Sequence, residues 1–331
     1  MISDRQEKIL KVIVDLYVKD AKPVGSKLLS KKFKLSSATL RNDMMELENQ
    51  GLLEKTHTSS GRVPSSKGYR YYVDHLMDTK KMDADDMLKL QIVFQNSQLA
   101  LSDVITNSLQ LISDMTNYTT IVLGSDSHDN LLKQIETIPI DESSMVVLIV
   151  TDRGHVEHKN VTLKNVSSED IKKTVNLINS LIVGTPIDQV STKLEFEIKP
   201  IIGKYVKQHE QLYNAFYQVF NDFTDTQVNV VGRNKILDQP EFSSNIDKIK
   251  KVYNKLEDKE LLRSIEEDND NNIKVYIGKE SNIDEDVTVI KTKFKSSNQE
   301  GTIAIVGPKR MEYNRVVNML EYIKENIERQ D

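Results

Sequence analysis

The sequence predicts an α+β protein: an N-terminal winged helix-turn-helix joined to a mixed α/β body whose sheet is interrupted by a helical block. Three observations carry this. Residues 22–71 read as helix, tight turn, helix and hairpin in KPVGSKLLSKKFKLSSATLRNDMMELENQGLLEKTHTSSGRVPSSKGYRY, the order of parts in a module that lays one helix in a DNA major groove. Strand-like runs such as MVVLIVT (145–151) and residues 287–295 flank a mainly helical stretch over 190–268. Charge is also segregated. Residues 1–75 hold 14 Lys and Arg against 9 Asp and Glu, a net +5, so residues 76–331 carry −10 of a chain at −5. A basic module on an acidic body suits a polyanion-binding protein with a separate regulatory part.

The first helix is expected from about Ser3 to Lys19, with Ile9, Val12, Ile13 and Leu16 as its apolar stripe. Residues 20–23 break it, and a second helix over 25–33 should bury Leu28 and Leu29 while Lys27, Lys31 and Lys32 face outward. Lys34 and Leu35 form the turn, and Ser36 caps the third helix. Leu40, Met44 and Leu47 share its buried face, and Gly51 ends it in the left-handed conformation.

At about 100° per residue, Ala38, Asn42 and Met45 then face outward, flanked by Thr39 and Arg41. Such a face suits base contact: Arg bonds guanine bidentately, Asn does the same to adenine, and methyl groups touch thymine. Ser36, Ser37 and the helix N-terminus are expected on phosphate.

Leu52–Glu54 begin a strand, and 56–62 form a small-residue tip with His57, Thr58, Ser60 and Arg62 as candidate contacts. Arg62 is expected to supply charge to a narrow minor groove. Val63 and Pro64 return the chain to a helix from about Ser65, carrying the candidates Lys67 and Arg70 and the aromatics Tyr69, Tyr71 and Tyr72.

Here the chain resembles a known family. PVGSKLLS, LSSATLRNDMMELENQGLL and HTSSGRVPSSKGYRYYVDHL are similar to the N-terminal domain of HrcA, the bacterial heat-inducible transcription repressor family. Far downstream, GTIAIVGPKRMEYNRVVNMLEYI resembles that family's C-terminal block. The resemblance implies a GAF-like α/β sandwich with a dimerisation subdomain inserted in it. It implies a homodimer on the CIRCE inverted repeat in double-stranded DNA, repressing chaperone operons such as groESL and dnaK. It further implies that the chaperonin GroEL maintains the active form and that heat shock releases the operator.

The expected layout is 1–78 winged helix, 79–117 helical connector, 118–189 and 269–331 as two parts of the GAF-like domain, and 190–268 as the insertion. Within the first part of the GAF-like domain, strands are expected over 118–123, 131–140, 145–151 and 155–163, then a helix capped by Ser167 or Ser168 and running to about Val183. Strands return over 273–277, 287–295 and 301–306 before a closing helix over 311–329. The acidic, Asn-rich run 266–272 reads as a solvated loop; it lacks the glycine and distal glutamate of an EF-hand.

Other chemistry is not signalled. The chain has no cysteine, which excludes disulfides and thiolate sites and suits the cytoplasm. No apolar run approaches the roughly 18 residues of a membrane span, and the charged, amphipathic first helix is not a signal peptide. Neither GxxxxGK[ST] nor GxGxxG occurs. His155 and His158 fall on opposite faces of their strand, a poor start for a metal site. No cofactor is expected, and an enzyme acting on DNA or nucleotides lacks the acidic cluster or nucleotide loop it needs. The rival regulatory reading is a winged-helix protein controlled by a small metabolite in the GAF-like domain.

Overall fold

A computed structural model describes residues 2–55, 61–77, 82–95, 101–124, 131–141, 144–152, 156–163, 166–201, 209–225, 228–243, 245–265, 271–296 and 300–329. The chain divides into two compact units, one of residues 1–121, 230–294 and 303–330, the other chiefly of 122–229 and 295–302.

The first unit begins with α1 (Asp4–Asp20), α2 (Ser26–Phe33) and α3 (Ser37–Asn49). Ser3 and Gln6 form a reciprocal capping box at the start of α1. Ile9, Leu10, Ile13, Val14, Leu29, Leu40, Met44 and Leu47 make its core. The stripe on α1 is therefore rotated from the expected one: Leu10 and Val14 are buried, whereas Val12 and Leu16 are only half-buried. Leu28 is a second correction, being 45% exposed. A helix of eight residues gives few turns from which to fix a face, and Leu29 alone fills the gap beneath it.

The strands β1 (Leu53–Lys55) and β2 (Arg62–Pro64) pair antiparallel, Lys55 opposite Arg62. Arg62 also exchanges two backbone hydrogen bonds of 2.9 Å with Val24, which stitches the α1–α2 connection to the wing. Gly51 has φ +73°, as the predicted helix stop requires. Then α4 (Ser66–Tyr71) starts from the Ser65 cap and continues as a π-turn over Tyr72–Leu76. Gly68 lets α4 lie against the chain just before β1: a Cβ there would lie 2.0 Å from the Leu52 carbonyl oxygen.

The rest of this unit is built on a five-stranded sheet of order β7-β3-β10-β9-β8. Its strands are β3 (Thr119–Gly124), β7 (Val228–Val231), β8 (Lys274–Ile277), β9 (Val287–Lys295) and β10 (Glu300–Pro308). Helices α5 (Ala84–Phe94) and α6 (Leu101–Thr116) pack with the closing helix, α12 (Tyr313–Glu328). Arg315 of α12 grips the buried Asp86 of α5 through bonds of 2.7 and 3.0 Å, which raises the Arg315 pKa.

In the second unit, β4 (Leu132–Pro139), β5 (Ser144–Thr151) and β6 (Val156–Thr162) form their own antiparallel sheet, β4-β5-β6. It shares a core with α7 (Ser168–Ile182), α8 (Ile187–Lys193) and α9 (His209–Asp225) through Ile135, Val147, Ile149, Ile178, Val190 and Phe216. The strand positions agree closely with the sequence expectation, but their grouping differs. β3 joins the sheet of β8–β10, β4–β6 stand apart, and β7 arises inside the stretch read as helical. Strand runs are local patterns, whereas sheet membership is set by non-local pairing.

The remaining helices, α10 (Ile246–Glu257) and α11 (Lys259–Ser264), precede β8.

Candidate nucleic-acid interface

The third helix presents the face that its periodicity predicted. Ser36 caps it, its Oγ accepting from the Thr39 amide at 3.1 Å and lying 2.9 Å from the Thr39 hydroxyl. With Leu40, Met44 and Leu47 buried, Ala38, Arg41, Asn42 and Met45 are exposed, and Ser37 and Thr39 are half-buried. Among the described residues, no carboxylate pairs with Arg41 or with Lys27 and Lys31, exposed on α2.

The acidic side chains of α3 are directed elsewhere. Asp43 is buried and takes a bidentate bond from Arg5, at 3.0 and 2.9 Å, and this bond raises the Arg5 pKa. Glu46 accepts from Gln6 of α1, and Glu48 pairs with Arg62 at 2.7 Å. Carboxylates that would repel phosphate are thus bonded to other parts of the module. Sequence reading missed Arg5 and these ties, because the partners of Asp43 and Glu46 lie 38 and 40 residues away and that of Glu48 lies 14 away. An open cleft of about 680 Å³ separates the first turn of α1 from α3, with Arg5, Thr39 and Asn42 on its walls.

The other candidate cations are placed differently from the outward face of α3. Arg62 is not at the wing tip; it opens β2, is 8% exposed, and its guanidinium is held by Glu48. Lys67 is exposed, and its Nζ donates to the Gln50 carbonyl at 2.9 Å, completing the C-terminus of α3. Arg70 reaches away from the helix pair, donating to Glu280 and to the Val275 carbonyl and pairing with Asp74 at 3.4 Å. His57, Thr58 and Ser60 lie outside the described residues.

Aromatic packing and further ties seat the module on the rest of the same unit. The Tyr69 and Tyr313 rings lie 5.7 Å apart, and the Tyr72 and Tyr313 rings 6.4 Å. Arg310 donates to the Val18 carbonyl at 3.3 Å and pairs with Glu241. Burial raises the Tyr69 and Tyr313 pKa values, so these rings stay neutral.

Among the described residues there is no group of three or more His, Cys, Asp or Glu able to hold a metal, and no helix long and apolar enough to cross a membrane. His158 is exposed, and His155 lies outside the described residues.

A capped helix with an outward polar face, a wing stitched to its base and acidic groups bonded elsewhere define a winged-helix DNA-binding regulator. Comparison with known proteins agrees. Residues 1–75 match the family described as "Winged helix-turn-helix transcription repressor, HrcA DNA-binding", and residues 102–317 match "HrcA protein C terminal domain". The chain belongs to the HrcA family of transcription repressors, a family of regulators rather than enzymes. It is 37% identical to the heat-inducible transcription repressor HrcA of Bacillus pumilus, over 99% of this chain and 97% of that one. It is 35% identical to the protein of the same name from Listeria welshimeri, over 99% and 96%. A crystal structure of a hypothetical protein at 2.2 Å resolution shares the fold, with a TM-score of 0.67 at 22% identity over 99% and 98% of the two chains.

Proposed function

We propose that the protein is a cytoplasmic, homodimeric repressor of chaperone operons such as groESL and dnaK, bound to the CIRCE inverted repeat and released on heat shock. The observation that carries this reading is the outer face of α3, where exposed Arg41 and Asn42 stand beside Ala38 and Met45. Arg41 and Asn42 are the base readers, with Ala38, Thr39 and Met45 beside them. Lys27, Lys31, Ser36 and Ser37 hold phosphate. His57, Thr58 and Ser60 are further duplex contacts, and Arg62 and Lys67 hold the base of the wing against α3. Arg70 anchors the module to the body.

An inverted repeat calls for two modules related by a two-fold axis. The second unit supports pairing, since Ile138, Ile140, Val156, Leu181, Val183 and Phe196 are exposed apolar side chains that a partner copy would bury. In this reading the five-stranded sheet is the GAF-like domain, and repression requires the folded dimer that spaces the two modules. GroEL keeps that state populated, and unfolded clients compete for GroEL on heating, so the operator is released.

The test is binding of the purified chain to a CIRCE-type inverted repeat and to a scrambled duplex at near-physiological salt, with and without GroEL. Preference for the repeat, strengthened by GroEL, is the expected result. Equal weak binding to both duplexes, indifferent to GroEL, overturns the operator and chaperone assignments.

A further inference from the structure

The first turn of α1 is tied to α3 at two points. Ser3 and Gln6 cap each other there, the Gln6 Oε1 accepting from the Ser3 amide at 2.9 Å, and the Gln6 Nε2 donates to Glu46 of α3. Arg5 makes the second tie. Its side chain is 54% exposed, although the Asp43 carboxylate that it grips is buried. Arg5 and Gln6 line one wall of the open cleft between α1 and α3. Ala38 and Asn42, from the outward face of α3, line the other wall with Thr39.

The bond to Asp43 uses only one edge of the guanidinium. Nε–H and one Nη2–H meet the two carboxylate oxygens, at 3.0 and 2.9 Å. The second Nη2–H and both N–H groups of Nη1 remain, and among the described residues no acceptor takes them. That Nη1–Nη2 edge is the planar fork that matches O6 and N7 of guanine. Charge decides between a base and a phosphate. Among the described residues lining the cleft, Arg5 is the one cation, while Asp43 and Glu46 are both carboxylates. This balance repels a phosphate but not a neutral base edge. A guanidinium already held by Asp43 also has less freedom to lose on contact.

We propose that Arg5 is a further base-reading residue: Asp43 fixes one edge of its guanidinium, and the other edge bonds O6 and N7 of a guanine in the major groove. The inference rests on α3 as the reading helix and adds to it a reader carried by a different helix. The guanine lies beside the base that Asn42 meets, because Asp43 follows Asn42 in the chain and both line the same cleft. Specificity then comes from two helices, and the buried carboxylate of α3 aims the reader on α1.

The test starts from the duplex that the full wild-type chain selects from a random pool, so it does not depend on the operator assignment. Binding is then measured to duplexes changed one base pair at a time. Arg5→Met should lose about 5- to 100-fold of preference at one G·C pair in each copy of the recognised sequence. That pair should differ from those relaxed by Arg41→Ala or Asn42→Ala, and the salt dependence of binding should stay unchanged. Preference lost at every pair together would make Arg5 a positioning residue only. A slope of log affinity against log salt lower by about one, with every preference intact, would make it a phosphate contact. Either result overturns the proposal, as does a preference equal to that of the wild type. Should Arg5→Met fail to fold, having left Asp43 buried without its partner, the base is altered instead. In the Arg41→Ala chain, guanines are replaced singly by 7-deazaguanine, which lacks the N7 acceptor. One guanine in each copy should still weaken binding about fivefold or more when replaced; no such guanine overturns the proposal. Failure of α3 as the reading helix shows separately, as unaltered preference in both Arg41→Ala and Asn42→Ala.

Discussion

Arg41 and Arg70 belong to the same DNA-binding module and look interchangeable as sequence, yet they are placed in opposite ways. Arg41 stands exposed on the outward face of α3 with no carboxylate paired to it among the described residues. Arg70 is half-buried, bonded to Asp74, to Glu280 and to the Val275 carbonyl. Arg62 stands with Arg70, its guanidinium held by Glu48. Positive charge in this module therefore divides between groups left to meet a polyanion and groups that lock the module's parts together. A count of basic residues measures neither.

The strongest challenge to this division is Glu48→Ala. It leaves the guanidinium of Arg62 nearly buried without its Glu48 partner, and breaking a buried pair from one side costs about 3 kcal/mol or more; partial exposure of Glu48 places the loss at the lower end. Thermal unfolding should show a clear drop in Tm, with Glu48→Ala/Arg62→Met recovering much of it. If Glu48→Ala leaves Tm unchanged, the pair is not a structural lock.

Arg41→Ala and Asn42→Ala should each cut discrimination between operator and scrambled duplex by about 1–3 kcal/mol, leaving Tm nearly unchanged. Unaltered discrimination in both variants would mean that α3 does not read bases with this face. A finer contrast sets Lys31→Ala against Arg70→Ala. The first should lower the slope of log affinity against log salt by about one. Arg70→Ala should leave that slope unchanged, because Arg70 is bonded within the chain; an equal fall in both would erase the distinction.

The smallest effect concerns Asp286. Burial alone would raise its pKa, but hydrogen bonds and ion pairs with Lys248 and Lys309 overcome it and hold the pKa below the usual carboxylate value. A depressed folded-state pKa contributes stability that is present above the unfolded value of about 3.9 and is lost as pH falls through the folded one. Asp286→Asn should flatten acid unfolding in that range, at a cost within about 1 kcal/mol near neutral pH. An acid unfolding curve identical to that of the wild type would remove Asp286 from the account.

Much of the module was legible because its signals are local. The Ser36 cap, the Leu40–Met44–Leu47 face and the Gly51 stop sit within one helix and its ends. The placement of Arg62 and Arg70 was not legible, since Glu48 lies 14 residues from one and Glu280 lies 210 residues from the other. For the same reason the strands β4–β6 were found but not their separation from β3. Leu28 failed for a different reason: an apolar residue on a short helix can remain at the surface at little cost.

The seat of α4 has a consequence in time. Tyr313 against Tyr69, and Lys309 at 3.5 Å from Ser66 across 243 residues of chain, place one side of the DNA-binding module against a segment synthesised much later. At roughly 5–20 residues per second of synthesis, the ribosome takes about 10–50 s to supply that surface. In a nascent chain α3, tied to α1 and the wing, is therefore complete well before the surface that seats α4. Fragments released early from translation would carry α4 without the Tyr313 ring and the Lys309 side chain that it meets in the full chain.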